Sequence, residues 1–199
     1  MHDSDEPGAP NPATCCEHRR RWLRGAFGLA VAGAAPGLAA APAPAKAPVQ
    51  IGDVLSFPSW EQDRPIAPAD VVLDAPPLLV YPRDPASGVV RDKSRLNQVL
   101  LLRLDPASLD TVAQRHARDG VLAYSGVCTH AACAVSEWKR DSRRVVCPCH
   151  GSEYDVTQHA NVVAGPAPRA LPMLPITLEN DRFVVAGRFT GKVGLKKSP

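Results

Sequence analysis

The chain has 199 residues, enough for one ordinary domain or one domain plus a targeting segment. Its 45% hydrophobic content excludes disorder throughout, and a formal charge of +3 is too small to mark a nucleic-acid binder. With 21 Pro, 14 Gly and only 5% aromatic residues, the composition argues against a helical bundle and for short strands joined by loops.

Residues 1–18 are polar, carry no apolar period and are expected to be disordered. His18-Arg19-Arg20-Arg21-Trp22-Leu23-Arg24 then precedes a Gly/Ala/Leu/Val run from Gly25 to Ala41, and small residues end in Ala43-Pro44-Ala45. A basic stretch, an apolar run and small residues are the three parts of a secretory signal, and Arg-Arg-x-Trp-Leu-Arg resembles the twin-arginine export motif. The competing reading is an N-terminal anchor, although 17 helical residues from Gly25 to Ala41 rise roughly 26 Å against a hydrocarbon core of roughly 30 Å. Residues 1–45 are therefore expected to be a twin-arginine signal sequence or anchor, with cleavage after Ala45 in the first case. Outside the cytoplasm a disulfide can persist. The pair Cys15-Cys16 precedes the apolar run and is assigned no function.

Residues 39–48 alternate Ala with Pro as a semi-extended spacer. Beyond it, Val49–Phe57 reads as a first strand, and Pro65–Val80 holds one or two short ones. The apolar run Gln98–Leu104 predicts a buried strand. The one clear helix should follow, with Asp105 as N-cap, Pro106 at the first position and Gly120 as its stop. Val121–Ser125 and Arg143–Val146 are expected strands leading into Cys128 and Cys147. Leu174–Leu178 and Arg182–Ala186 flank Glu179-Asn180-Asp181 as a hairpin. Residues 46–199 thus read as a small, mainly β, antiparallel domain with one short helix.

Four of the six cysteines fall in two loops, Cys128-Thr129-His130-Ala131-Ala132-Cys133 and Cys147-Pro148-Cys149-His150-Gly151-Ser152. Each loop follows an expected strand, so the two could project side by side from one sheet edge. Three readings compete. Four of the six Cys and His side chains could hold a tetrahedral zinc; the four cysteines could form two disulfides; or two Cys and two His could ligate a [2Fe–2S] cluster. In the last case each iron needs two protein ligands besides the bridging sulfides. One Cys and one His from each loop would supply them, leaving one Cys per loop.

Both loops resemble those of the Rieske iron–sulfur proteins, whose pattern is Cys-Thr-His-x-Gly-Cys followed by Cys-x-Cys-His-x-Ser. Gly165-Pro166-Ala167-Pro168 also resembles that family's proline loop, which covers the cluster. The resemblance spans about Gly120 to Leu178. It implies one [2Fe–2S] cluster per chain, with Cys128 and Cys147 on one iron, His130 and His150 on the other, and a Cys133–Cys149 disulfide. It implies a Rieske-type antiparallel β sandwich with a cluster-binding subdomain at about 124–168. Ser152 and Tyr154 match the positions whose hydroxyls bond a bridging sulfide and a ligand cysteine. Ala132 stands where the family has Gly, so a positive φ there would cost on the order of 1 kcal/mol. Ala131 occupies a variable position that is a bulky Leu in many quinol-oxidising members. His159 reads as a loop residue and His116 as a solvated helix residue.

Two neutral imidazoles in place of two thiolates make such a cluster easier to reduce, and both tuning hydroxyls favour the upper part of the roughly −150 to +300 mV range. Reduction raises the imidazoles' proton affinity, so electron uptake should depend on pH above neutral. The implied function is one-electron transfer at the periplasmic face of the inner membrane, from a quinol or a partner enzyme to a c-type cytochrome, with no catalytic site of the chain's own. The small subunit of arsenite oxidase, a molybdenum oxidoreductase, is the second model, because its core resembles Ser152-Glu153-x-Asp155, with Phe where Tyr154 stands. The Rieske domain of a ring-hydroxylating oxygenase is expected to lack the extra cysteine pair and to need an iron site with two His and one carboxylate. A zinc-stabilised binding module is the non-redox alternative. The resemblance does not extend to residues 49–97.

Overall fold

The computed structural model describes residues 44–195. The expectations placed on the leader, its apolar run and Cys15-Cys16 lie outside the described residues. Ten strands form two antiparallel sheets. The larger contains β1 (Val54–Ser56), β2 (Leu78–Arg83), β3 (Val99–Arg103), β4 (Val121–Ser125), β9 (Ile176–Glu179) and β10 (Arg182–Val185), in the order β4-β3-β2-β1-β10-β9. The smaller is β5 (Glu137–Lys139), β6 (Arg144–Cys147), β7 (Ser152–Asp155) and β8 (Asn161–Ala164), in sequence order. The segment leading into β9 also bonds β4, through Ser125 N to Pro172 O at 2.8 Å and Leu174 N to Ala123 O at 2.9 Å. Those bonds bring the two ends of the larger sheet together, so it curls upon itself.

The curl explains why the run at 98–104 is continuously apolar. Alternate side chains point to opposite faces of a strand, and both faces of β3 are covered. Val99 and Leu101 join Leu55, Phe57, Ile66, Ile176 and Phe183 inside the curl. Leu100 and Leu102 join Leu122, Tyr124, Val145, Tyr154 and Leu171 between the curl and the smaller sheet. Each fully buried Leu contributes roughly 1.5–3 kcal/mol, so this second core ties the smaller sheet to the scaffold. The Tyr124 hydroxyl reinforces it by donating to Val156 O at 2.9 Å.

The hairpin at 179–182 forms as expected. β9 and β10 pair from Glu179↔Arg182, and Asn180 and Asp181, at φ 49° and 57°, make the two-residue left-handed turn that suits strand twist. Two expectations are corrected. Asp105 caps only a single 3-10 turn, Pro106–Ser108, by accepting from Ala107 N. The α-helix, α1 (Thr111–His116), starts later, with Asp110 as its N-cap accepting from Ala113 N at 2.7 Å. Both residues offer the same capping carboxylate, so sequence alone favoured the one followed by proline. The two cysteine loops also do not leave one sheet edge. The first follows β4 of the larger sheet and crosses to β5; the second joins β6 to β7 within the smaller. The short strands β5, β7 and β8 carry too little apolar alternation to have been read as strands.

Among the described residues no helix is long and apolar enough to cross a membrane. Residues 49–97 supply β1 and β2, joined by a buried ion pair. Arg91 donates from Nε and Nη2 to Asp53 at 2.8 and 3.0 Å and reaches Asp84 at 3.3 Å, with side-chain exposures of 4% for Arg91 and 2% for Asp53. Removing one partner of such a pair strands a buried charge. Arg91→Ala is expected to lower stability by about 3–5 kcal/mol, read as an earlier midpoint in urea unfolding of the full chain.

Candidate metal centre

The two loops share a backbone device. In the first, Ala132 N–H donates to Cys128 O at 3.0 Å; in the second, Gly151 N–H donates to Cys147 O at 3.0 Å. Each turn closes on a left-handed residue at the same offset, Ala132 at φ 57° and Gly151 at φ 68°. The position where the sequence has Ala for the family's Gly thus does need positive φ. The Cys133–Cys149 disulfide, with Cα atoms 6.6 Å apart, joins the loops. It removes both cysteines from any ligand set, although their sulfurs and the Cys147 sulfur lie within 4.8 Å of one another. A site using four cysteines is thereby excluded.

Cys128 and Cys147 remain as free, buried thiols. His130 is half-buried and His150 exposed, with ring centroids 4.7 Å apart at an interplanar angle of 89°. The group is therefore polarised, with sulfur donors on the interior side and imidazoles toward the surface. Burial pushes the Cys128 thiol up, but hydrogen bonds from the Tyr154 hydroxyl and the backbone of His130 and Ala131 outweigh it and lower its pKa below the ordinary value. Burial leaves the Cys147 thiol raised, despite backbone hydrogen bonds from Cys149 and His150. Converging N–H donors are suited to hold thiolate charge away from water.

Tyr154 lies at the centre of this network. Its hydroxyl accepts from Thr129 N–H at 3.2 Å, leaving its proton for the Cys128 sulfur, also 3.2 Å away. Burial raises the Tyr154 pKa well above the ordinary value, so the group stays a protonated donor. Thr129 Oγ1 donates to Arg169 O at 2.7 Å and ties the first loop to the end of the proline loop. Sequence reasoning quoted Thr129 within the motif but gave it no role; its place between two ligand candidates was the available signal.

The proline loop lies directly on the second loop. A Cβ at Gly165, which has φ 81°, would come within 2.5 Å of Ser152 Cα and 2.6 Å of Gly151 O. Only glycine allows that approach. His159 is not part of the group; its Nδ1 lies 2.5 Å from Asp110 Oδ2 and anchors the turn before β8 to the cap of α1. His116 is the last residue of α1.

The residues present fit a [2Fe–2S] cluster. His130 Nδ1 and Ser152 Oγ are both buried without a hydrogen-bond partner. Such orphans are costly unless something outside the chain satisfies them; an iron would satisfy the first and a sulfide acceptor the second.

Residues 89–175 match the family model of the Rieske [2Fe-2S] domain. Similar curated proteins include a cytochrome bc1 complex Rieske iron-sulfur subunit of Streptomyces lividans, 30% identical over 66% of this chain and 79% of that protein. The subunit of the same name in Corynebacterium glutamicum is 34% identical over 70% of this chain and 36% of its own length. A putative respiratory nitrate reductase subunit Rieske of Haloferax mediterranei is 39% identical over 59% of this chain and 50% of that protein. The chain thus spans only about a third of the length of the Corynebacterium relative and half that of the Haloferax one. Among solved structures, the plasma membrane Rieske protein PetC3 from Synechocystis PCC 6803 is 24% identical with a TM-score of 0.35, over 55% of this chain and 86% of that chain.

Relieving the left-handed alanine should strengthen the first loop. Ala132→Gly is expected to raise stability by about 0.5–1 kcal/mol, the steric relief exceeding the entropy glycine adds to the unfolded chain. Thermal unfolding of the loaded chain measures it, and a lower midpoint would contradict the strain assigned to Ala132.

Proposed function

The chain belongs to the Rieske [2Fe–2S] family and carries that family's single cluster, and on this premise we propose that it works as a one-electron carrier within a respiratory oxidoreductase. In this reading Cys128 and Cys147 hold one iron and His130 and His150 the other. The observation that carries it is the polarised set of buried thiols and outward imidazoles, completed by two orphaned polar atoms beside them. When bound, the cluster supplies a redox centre that takes up and gives back one electron.

The chain's own residues set how readily that happens. With the cluster in place, Ser152 and Tyr154 would donate hydrogen bonds that ease the added negative charge, and the backbone N–H groups of 130, 131, 149 and 150 would do the same. Gly165 and Pro166 bring the proline loop over Gly151 and Ser152 and keep water off that side. His150, on the exposed side, offers the short path to a partner.

For the parent complex, the reading is a subunit of the quinol–cytochrome c reductase type, with a quinol-oxidising membrane subunit as donor and a c-type cytochrome as acceptor. The names of the Streptomyces and Corynebacterium relatives support it, as does Tyr154. A small electron-transfer subunit of a periplasmic molybdenum oxidoreductase is the second reading, favoured by the small, exposed Ala131 beside His130. In both, residues 1–45 direct twin-arginine export and 46–199 form the Rieske domain, which works at the periplasmic face of the inner membrane. Copurification of the tagged chain with a cytochrome b or with a molybdenum enzyme separates the two.

The carrier reading has a direct test. The reduced chain should give the rhombic EPR signal of a histidine-ligated [2Fe–2S] centre, which a zinc module cannot give, and its midpoint at pH 7 should be positive. Tyr154→Phe and Ser152→Ala should each lower that midpoint by about 40–60 mV, the loss of roughly 1 kcal/mol of hydrogen bonding for one electron. A negative midpoint in the unsubstituted chain would overturn the tuning roles of these hydroxyls.

A further inference from the structure

Four stretches bear on the cluster loops: 126–136, 148–152, 162–175 and 190–195. None contains an Asp or Glu, although the whole chain has 20. The charged side chains they do contain are Arg169 and Lys192, and a third base arrives from the turn before β3. Arg95 Nη1 donates to Ala132 O at 3.2 Å. Arg169 Nη2 donates to Lys192 O at 3.0 Å and also bonds Gly194 O. Gly194 in turn packs on the first loop, where a Cβ built on it would lie 3.4 Å from Ala132 Cβ and 3.5 Å from Leu96 Cδ2. Arg95, Arg169 and Lys192 therefore surround the outer flank of the loop that carries His130. None of the three has a carboxylate partner among the described residues. In the smaller sheet, by contrast, Lys139 and Arg144 both pair with Glu153. Next to Arg95 and Gly194 in the chain are two exposed apolar side chains, Leu96 at 52% and Leu195 at 52% exposure.

We propose that these unpaired bases, together with the exposed Leu96 and Leu195, form the docking surface for a redox partner protein whose own site combines carboxylates with a small apolar area. The proposal rests on the carrier reading and adds to it the charge of the partner. Charge complementarity selects the occupant: three unpaired bases attract an anionic face and orient it on approach, and the leucines give a dry contact beside the imidazoles. A membrane surface of anionic lipid would meet the same bases. Two leucines and one alanine form too small an apolar area to anchor there, and lipid would separate the imidazoles from any partner.

The test uses the cluster-loaded full chain, reduced and then mixed in stopped flow with oxidants of opposite charge. One electron passes from the chain to ferricyanide, giving ferrocyanide, or to tris(phenanthroline)cobalt(III), giving the cobalt(II) complex. At low ionic strength ferricyanide oxidation should be fast and should slow by about tenfold as salt is raised to 0.5 M, while the cationic cobalt complex should speed up. Lys192→Glu and Arg95→Gln should each reduce the ferricyanide salt dependence about threefold without altering the EPR signal. A normal EPR signal with charge-blind or inverted kinetics overturns this inference and leaves the carrier reading standing. An absent signal overturns the carrier reading and this inference with it. Cosedimentation with phosphatidylglycerol vesicles that is lost in Lys192→Glu would replace the protein partner with a lipid surface; no cosedimentation is expected.

Discussion

Cys133 hangs on the crossover from the larger sheet and Cys149 on a hairpin of the smaller one, and the bond between their sulfurs makes two separate edges share one site. It is the covalent link between loops that the second core and the Tyr154 hydroxyl also hold together. The two cysteines are 16 positions apart in the sequence. Closing a loop of about that size removes roughly 3 kcal/mol of entropy from the unfolded chain in the chain-entropy account. The same bond commits Cys128 and Cys147 to being the free thiols, so the pairing also decides which sulfurs face inward. Such a bond persists in an oxidising compartment.

The non-covalent supports run in parallel with the disulfide. Tyr154 belongs to the smaller sheet, yet its hydroxyl touches Cys128 and Thr129 on the loop that leaves the larger one. Thr129 passes the connection on to Arg169, and Arg169 to the tail at Lys192 and Gly194. Gly165 closes the far side by backbone contact with Ser152. Each link joins parts that are remote in sequence, so the site forms only once both sheets have packed, and stability of the whole domain is a condition of holding a cofactor. The buried Arg91–Asp53 pair, far along the chain from the cysteines, matters for the same reason.

The residue types of the site were readable because they carry chemistry at fixed short spacing: Cys-x-His and Cys-x-Cys-His say metal before any fold is known. The left-handed turn at Ala132 was readable from the resemblance and from the sterics of Cβ. The strands of the larger sheet were readable where both faces are buried, as in 98–104. What was not readable depends on three-dimensional neighbours. β7 and β8 are short, half-polar strands whose pairing is fixed by packing against Tyr124 and α1, not by an apolar period. The origin of the two loops in different sheets, and the gathering of Arg95, Arg169 and Lys192 from three distant stretches, leave no local trace in the sequence.

The polarity of the site separates tuning from contact. Groups that adjust charge at the sulfur side, Tyr154, Ser152 and the loop N–H donors, are buried, where low dielectric strengthens a hydrogen bond. The groups proposed to meet a partner, His150, Ala131, Leu96 and the bases, are at the surface, where an added charge changes encounter more than redox balance. A surface substitution can therefore alter which protein is recognised without moving the potential, and a buried one can move the potential without altering recognition. That independence bears on the open choice of parent complex. A bulky residue at 131 would press into a partner's pocket, whereas the exposed Ala131 presents only a methyl group. A shallow surface relies on charge for orientation, because shape alone cannot fix the approach. The small side chain at 131 and the unpaired bases around it are then two parts of one arrangement, in which recognition shifts from insertion to electrostatic alignment.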